Sequence, residues 1–372
     1  MKKKTWKIAL ILSMNLMLMC SLTACGKIPG APEGESKGDA TATTSESGED
    51  VSTVSTLTGL PMTESEKNIR PLAVMLNNIK AGCPQSGTQD AAIIYEAPVE
   101  GRITRLMGIF EDYKNVEAIG SIRSSRDYFV YFALEYDPIY AHFGQATPYV
   151  GDLLNSDRVD NISGAVSGIQ DPAPHSFFRS PKRKAPHNVY LDLEGVTKDI
   201  EKFGYSTTHH DSYQPKFTFS KEGTSTLYAD EKNVSVIYPG GKETDLANGY
   251  SRVQAKFEYN EKDQLYYRYQ YGDKHIDGNT EEQLAVSNVI LQYCHGEVRD
   301  ENDYLAFGCH GDDGYKVQVF TGGKMIEGTW KRSCDEEPAR YLDAAGNPIQ
   351  INPGKTWVCI VWNEYGEDVV LE

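Results

Sequence analysis

Short apolar runs separated by turn residues predict a series of buried strands after residue 57, and helical spacing appears between them. The predicted strands are 72–76, 92–95, 103–110, 118–122 and 138–143. The predicted helices are 126–135, 147–154 and 193–203. Phe129, Phe132 and Tyr136 share one face of the first helix, and Gly204 ends the last one. Strands and helices mixed in this way predict a mixed α/β domain over residues 57–210.

The pattern changes past about Tyr213, where short strand-like runs recur with turn signals between them. The run 265–269 alternates apolar and polar positions, which is typical of an antiparallel strand with one face in water. We therefore expect a chain of the α+β class. A mixed α/β N-terminal domain is followed by a mainly antiparallel, all-β C-terminal domain over residues 215–372, and the two are expected to fold as separate units.

The N-terminus carries an export signal in residues 1–24. Lys2, Lys3, Lys4 and Lys7 precede the apolar run 8–19, which is too short for a permanent membrane span. The ending Leu22–Cys25 resembles the bacterial lipobox, which implies cleavage before Cys25 and a lipid such as palmitate on its thiol. The alternative is an ordinary signal peptide that contains a cysteine. Residues 25–56 are polar and rich in Gly, Ser and Thr, so we expect a flexible tether.

Charge limits the partners of the exported body. The formal net charge is −16, and removal of the four signal lysines makes it about −20. Such an acidic body argues against nonspecific binding to nucleic acid and against lying flat on anionic lipid. The lipid anchor is therefore expected to hold the protein outside the cytoplasm, on the cell membrane.

Five cysteines lie beyond Cys25, and none forms a C-x-x-C motif. Neither a zinc ribbon nor a thioredoxin motif is indicated, and no metal site or cofactor is expected. The sequence leaves open a disulfide between Cys294 and Cys309. We favour free thiols, because both predicted domains are large enough to fold without disulfides.

Arg123-Ser124-Ser125-Arg126 is the strongest candidate for a ligand site. It lies where a predicted strand runs into a helix, so unpaired backbone N–H groups and two guanidinium groups are expected to face a phosphate or carboxylate. The alternative is structural: a serine caps the helix, and the arginines pair with Glu96, Glu100 or Glu135. The residues alone do not separate these interpretations.

Other charged residues stand among the apolar strands. Glu96 and Glu100 suggest a glycosidase pair, although four extended residues span about 13 Å and such pairs lie about 5–9.5 Å apart. We prefer ion pairs with arginine. His142 lies inside a predicted strand and is a candidate general base. The candidate ligand-binding residues are Arg105, Arg123, Ser124, Arg126, His142, Arg183, His187 and Asn188. The candidate catalytic residues are Glu96, Glu100 and His142.

Several segments resemble the YerB-like bacterial lipoproteins, a family of unknown function found largely in Gram-positive bacteria. They include Arg70–Met75, Pro84–Gly87, Ile119–Arg126, Ala185–Tyr190 and Asn352–Trp357. In Ile119–Arg126, serines replace the usual proline and alanine, but both arginines remain. The resemblance covers nearly the whole mature chain and implies a two-domain exported lipoprotein. The strand, basic turn and helix are also distantly similar in layout to LytR-CpsA-Psr envelope phosphotransferases, which hold a lipid pyrophosphate with arginines.

Two hypotheses follow. The first is a noncatalytic envelope protein that binds an anionic cell-wall or lipid-linked ligand, or a partner protein, through its arginine-rich face. The second is an envelope enzyme that acts on glycan or phosphate-linked wall material, with His142 or a glutamate as base.

Overall fold

One mixed sheet of eleven strands runs through the protein. The computed structural model describes residues 53–165 and 168–372. The strands of the sheet are β1 (Leu72–Leu76), β2 (Ile93–Val99), β3 (Ile103–Phe110), β4 (Ile139–His142), β5 (Asn161–Ser163), β6 (Lys232–Asn233), β7 (Asn288–Cys294), β8 (Gly311–Thr321), β9 (Lys324–Arg332), β10 (Arg340–Leu342) and β11 (Thr356–Trp362). The export signal, Cys25 and nearly all of the expected tether lie outside the described residues.

Both halves of the chain contribute to this sheet. Its order is β6-β9-β8-β7-β11-β2-β3-β1-β4-β5, with β10 beside β9. Strand β11 lies parallel to β7 on one side and parallel to β2 on the other, with Thr356 opposite Asn288 and Ile93. The expectation of a mixed domain followed by a separate all-β domain is therefore wrong, because the last long strand pairs directly with an N-terminal one. The α+β class itself is confirmed.

The central strands are buried on both faces. Every residue of β2 and β7 is buried, and only Trp362 of β11 is partly exposed. Such continuous apolar strands require a layer on each side of the sheet. Helices α1 (Asp127–Leu134) and α2 (Thr147–Leu154) contribute to the core on one face, and α3 (Leu193–Phe203) contributes to the core on the other.

A second, antiparallel sheet covers part of the α3 face. Its strands are Val236–Tyr238, Lys256–Asn260, Leu265–Gln270, Asp273–Lys274, Ala285–Val286 and Val370–Leu371. Leu265–Gln270 alternates between partly and fully buried positions, as the sequence pattern predicts. The side chains of Phe257 and Tyr266 join the core between this sheet and the long one.

The remaining elements are short. Two-stranded pairs join Thr53–Val54 with Pro61–Met62, Phe177–Arg179 with Val189–Leu191, Thr218–Phe219 with Gln350–Ile351, and Gly296–Val298 with Leu305–Phe307. Single-turn helices are Glu64–Lys67, Thr224–Leu227 and Tyr250–Val253, and 3₁₀ turns are Lys80–Gly82, Thr88–Asp90, Tyr113–Asn115 and Asn363–Asp368.

Local sequence signals predicted the bounds of the long helices correctly. Thr147–Leu154 and Leu193–Phe203 match the predicted bounds, and Asp192 caps the second by accepting a hydrogen bond from the Gly195 N–H (2.9 Å). Gly204 ends it with φ +70°, a left-handed conformation that glycine adopts at low cost. The predicted strand 118–122 is wrong, because Gly120 and Ile122 make only isolated bridges to three different segments.

A fragment of residues 53–214 is expected to lack a cooperative thermal transition, because removal of β11 turns the fully buried β2 into an unpaired edge. Circular dichroism during heating measures this. Mixing with a 215–372 fragment should restore the transition. A sharp transition of the 53–214 fragment alone would show that the halves fold independently.

Candidate functional site

Glu96 lies in the core, with no exposed surface. Its carboxylate accepts hydrogen bonds from Arg268 Nη2 (3.0 and 3.1 Å) and from Trp357 Nε1 (3.0 Å). The Thr104 hydroxyl donates a further hydrogen bond at 2.6 Å. Because its partners come from the long sheet and the second sheet, Glu96 stabilises their packing. This geometry does not support a catalytic role for Glu96.

Glu100 forms a two-pronged ion pair with Arg126. Arg126 Nε and Nη2 each donate to one carboxylate oxygen at 2.6 Å, and the guanidinium lies 5.3 Å from the centre of the Tyr304 ring. Burial alone lowers the pKa of Arg126, but the hydrogen bond and charge of Glu100 outweigh it and raise that pKa overall. Arg126 and Glu100 therefore satisfy each other, as the structural interpretation of this arginine expected.

His142 is also fully buried and satisfied. Nδ1 donates to the Gly144 carbonyl at 2.7 Å, and Nε2 lies 2.8 Å from the Ser163 hydroxyl. Burial lowers the pKa of His142 to about 4, so the ring stays neutral at ordinary pH. Because no part of its ring reaches solvent, the structure does not support the ligand-binding and catalytic roles for which His142 is a sequence candidate.

The segment from Arg123 to Arg126 lies at the start of α1, with Arg126 at the N-cap position. No side chain caps this helix, so the serine caps considered for Ser124 and Ser125 are absent. The Ser125 hydroxyl contacts the Tyr140 hydroxyl instead, at 2.8 Å. The Ser124 carbonyl accepts a hydrogen bond from Arg105 Nη1 at 2.7 Å. Ser124 thus contributes its backbone, which holds a buried arginine close to the turn.

Arg105 is nearly buried but has few partners. It is 7% exposed, and within residues 53–165 and 168–372 the Ser124 carbonyl is its one hydrogen-bond acceptor. Burial and the nearby charges of Arg126 and Arg123 lower its pKa to about 9, although Glu100 opposes the shift. A nearly buried guanidinium without its own carboxylate is unusual and costly.

A second group of cations lies on the segment 179–188, which we call the basic loop. It carries Arg179, Lys182, Arg183, Lys184 and His187 and contains no acidic residue. In the described part of the chain, none of these five side chains forms an ion pair with a carboxylate. The basic loop is therefore a concentration of unneutralised positive charge on an acidic protein.

Backbone carbonyls and amides hold the basic loop in place. Arg183 donates to the carbonyls of Cys83 (3.0 Å) and Pro84. Arg179 Nη1 donates to Asn188 Oδ1 at 2.8 Å, and the amide of Asn77 donates to His187 Nδ1 at 2.9 Å. These contacts position the loop but leave its charge unneutralised.

Arg123 connects the turn to the basic loop. Its Nη1 lies 3.4 Å from the Pro186 carbonyl. Burial and the charge of Arg126 lower the pKa of Arg123. Burial and the charges of Arg123 and Arg183 lower the pKa of His187. The fold thus brings Arg123 close to Arg183 and His187 on one side and to Arg105 on the other. Glu100 and Arg126 satisfy each other beside them, and Glu96 and His142 are fully buried.

The structure also identifies residues that the sequence candidates omitted. Lys182 is exposed on the basic loop, and Phe178 precedes the loop with 47% of its surface exposed. The run Lys182-Arg183-Lys184 in a chain of net charge −16 is a signal that could have selected the whole loop. No comparable pattern in the sequence predicts that Phe178 is exposed.

We also searched the described residues for membrane-spanning helices, metal-binding groups and disulfide bonds. No helix within 53–165 and 168–372 is both long and apolar enough to cross a membrane. Across the same residues, no group of three or more His, Cys, Asp or Glu side chains is placed to hold a metal ion. The five cysteines after Cys25 are all free thiols, including Cys294 and Cys309.

Comparison with known proteins identifies the family. Models of DUF3048, a protein family of unknown function, match residues 57–206 with the N-terminal domain and residues 245–358 with the C-terminal domain. The chain belongs to this family, the YerB-like lipoproteins. The two matched segments are the family's sequence domains, and in the structure they share the eleven-stranded sheet.

Relatives from Bacillus subtilis are similar over most of the chain. The protein named "Putative lipoprotein YerB" from strain 168 is 29% identical over 306 residues, which are 82% of this chain and 85% of that protein. The crystal structure of the YerB protein from Bacillus subtilis matches with a TM-score of 0.71 and 26% identity. That match covers 86% of this chain and 99% of the other. The similarity supports a lipoprotein of unknown function with this fold.

Because His142 is buried and neutral, the free energy of unfolding is expected to depend on pH. Its pKa is about 4 in the folded protein and about 6.5 in an unfolded chain, so between these values the unfolded state binds more protons. The contribution of His142 should therefore lower the free energy of unfolding by up to about 3 kcal/mol as the pH falls from 6.5 to 4.

Urea unfolding at several pH values, compared between the wild type and His142→Gln, measures this contribution. The variant should show a flatter decline with acid. His295→Gln, which removes an exposed ring, is the matched control. Equal slopes for the wild type and His142→Gln would contradict the buried, neutral state of His142.

Proposed function

We propose that this protein is an exported lipoprotein, anchored to the cell membrane through Cys25, that binds an anionic ligand of the cell envelope on the basic loop and Arg123. Its membership of a lipoprotein family supports the anchor. So does the order of charge, apolar run and Cys25 at the N-terminus. The ligand is a cell-wall or lipid-linked molecule, or an acidic partner protein.

One observation carries the binding proposal: the cations of the basic loop and Arg123 have no carboxylate partners within the described residues. This is unusual in a chain with net charge −16, where acidic partners are plentiful. Burial, and after it the repulsion from the charges of Arg123 and Arg183, lowers the pKa of His187. A bound phosphate or carboxylate would relieve that repulsion and accept charge-assisted hydrogen bonds.

The enzymatic alternative has less support. Glu96 and His142 are fully buried, and Glu100 is held by Arg126. A general base must come within hydrogen-bond reach of a substrate proton, and in this geometry internal partners occupy these groups. The resemblance to LytR-CpsA-Psr phosphotransferases then concerns anion binding by arginines and not a shared reaction.

Arg123→Gln and Arg183→Gln are each expected to weaken binding of an anionic polymer by roughly tenfold to a hundredfold, because a charge-assisted hydrogen bond contributes about 1.5–3 kcal/mol. Titration calorimetry with poly-L-glutamate, a simple carboxylate polymer, measures the affinity. Binding should also weaken as salt increases.

Lys221→Gln removes one exposed positive charge that is not part of the basic loop and serves as the matched control. Its affinity should stay within about twofold of the wild type, as expected for a distant screened charge. A lower melting temperature of Arg123→Gln or Arg183→Gln, with unchanged affinity for the polymer, would mean that these arginines stabilise the fold and do not bind the ligand.

Cys25→Ala is expected to release the protein into the medium or to leave an unprocessed precursor, because the lipid would attach to the Cys25 thiol. Metabolic labelling with a fatty-acid probe, followed by separation of membranes from medium, measures both outcomes. Cys83→Ala is the control and should keep its label. Equal labelling of Cys25→Ala would contradict the anchor.

A further inference from the structure

An aromatic platform lies directly beside the basic loop. Phe178 belongs to the two-stranded pair Phe177–Arg179 and Val189–Leu191, opposite Tyr190. The two rings stack with centres 6.0 Å apart and planes inclined by 30°. Tyr190 is 8% exposed, whereas Phe178 is 47% exposed. Tyr190 therefore forms the buried support of the platform, and Phe178 forms its exposed part.

Packing beneath the platform is close. A Cβ atom added to Gly120 would lie 2.5 Å from Tyr190 Cδ1, so only glycine allows this contact. The Gly120 backbone also forms a bridge to Tyr190. These contacts fix the Tyr190 ring, and with it the position of the ring that Phe178 stacks on.

The platform forms part of a groove of about 700 Å³. Lys182 and Arg183 of the basic loop line it, together with the polar side chains of Ser180 and Glu117. Within the described part of the chain, Glu117 forms no ion pair or side-chain hydrogen bond. One groove thus combines an exposed aromatic ring, two cations, a free carboxylate and a hydroxyl.

We propose that this groove binds an anionic glycan. The C–H face of a sugar ring lies on Phe178, since the negative face of an aromatic ring attracts the positively polarised C–H groups. The acidic group of the sugar, a carboxylate or a phosphate, pairs with Lys182 and Arg183. Sugar hydroxyls donate to Glu117. This inference rests on the proposed anion binding and specifies the class of ligand.

Glu117 favours a glycan over an acidic peptide. A chain of acidic side chains presents carboxylates, which the Glu117 carboxylate repels. Sugar hydroxyls are donors as well as acceptors, so they can satisfy a carboxylate and a guanidinium in the same groove. An exposed aromatic ring next to these polar groups matches the mixed character of a sugar, with one apolar face and a polar rim.

The test compares three polymers on the full mature chain by titration calorimetry. Oligogalacturonate has sugar rings and carboxylates, poly-L-glutamate of equal charge has carboxylates without sugar rings, and dextran has sugar rings without charge. The wild type should bind oligogalacturonate about tenfold more tightly than poly-L-glutamate and should bind dextran only weakly. Phe178→Ala should remove this preference and leave binding of poly-L-glutamate unchanged.

Phe178→Trp, which keeps an aromatic face, should retain the preference for the glycan. Because Phe178 is exposed, its replacement should leave the melting temperature close to that of the wild type, and a melting curve checks this.

Each alternative result overturns the inference in a distinguishable way. Equal binding of oligogalacturonate and poly-L-glutamate, unaffected by Phe178→Ala, rejects the glycan but keeps the proposed anion site. Tighter binding of poly-L-glutamate assigns the groove to an acidic protein partner. Equal binding of dextran and oligogalacturonate rejects the role of charge. No binding of either anionic polymer rejects the proposed function together with the inference.

Discussion

The buried carboxylate of Glu96 is the constraint on which the assembly of the two halves depends. It lies on β2, and it needs Arg268 from the second sheet and Trp357 from β11 to satisfy its oxygens. Removing one partner would leave an uncompensated buried charge, which typically costs about 3–5 kcal/mol. The parallel pairing of β2 with β11 brings Trp357 within reach, so strand order and charge compensation depend on each other.

A second buried ion cluster repeats this arrangement on the α1 face of the sheet. Glu135, just after α1, pairs with Lys216, and its other oxygen lies 3.4 Å from Arg332 Nη1 on β9. Lys216 also donates to the Tyr95 hydroxyl at 2.9 Å. Burial lowers the pKa of Lys216 to about 8, despite the opposing charge of Glu135. Both clusters join a carboxylate from the first half of the chain to cations from the second half, so they link the parts of the chain that share the sheet.

These clusters also determine which charges remain available for a ligand. Glu96, Glu100 and Glu135 pair with Arg268, Arg126 and Lys216, so each of these three carboxylates has an internal cation as its partner. The basic loop lies outside this network and is positioned by backbone carbonyls and amides, which leave its charge unneutralised. A rigid sheet that holds an unneutralised loop beside an aromatic platform is suited to recognition. This arrangement is the structural basis for the proposal that the loop binds an anionic ligand.

Several elements of this structure could be predicted from the sequence, because they depend on interactions between residues that are close together in the chain. Helices 147–154 and 193–203, the Gly204 stop and the alternating strand 265–269 follow from side-chain spacing and backbone preference, which act over a few residues. The sequence also marked Arg105 and Arg123 as candidates, because they stand beside apolar runs, and it marked Arg183 and His187 in the polar stretch that follows.

Only the tertiary structure decided which of the marked residues are available. Arg268 reaches Glu96 across 172 positions of sequence, and β11 reaches β2 from the far end of the chain. Such pairing depends on long-range strand order, which no local pattern encodes. The same three-dimensional packing buried His142 and paired Arg126 with Glu100. Within the described residues it left the cations of the basic loop without carboxylate partners. The sequence by itself thus determined the local elements and the candidate charges, whereas the fold determined their partners.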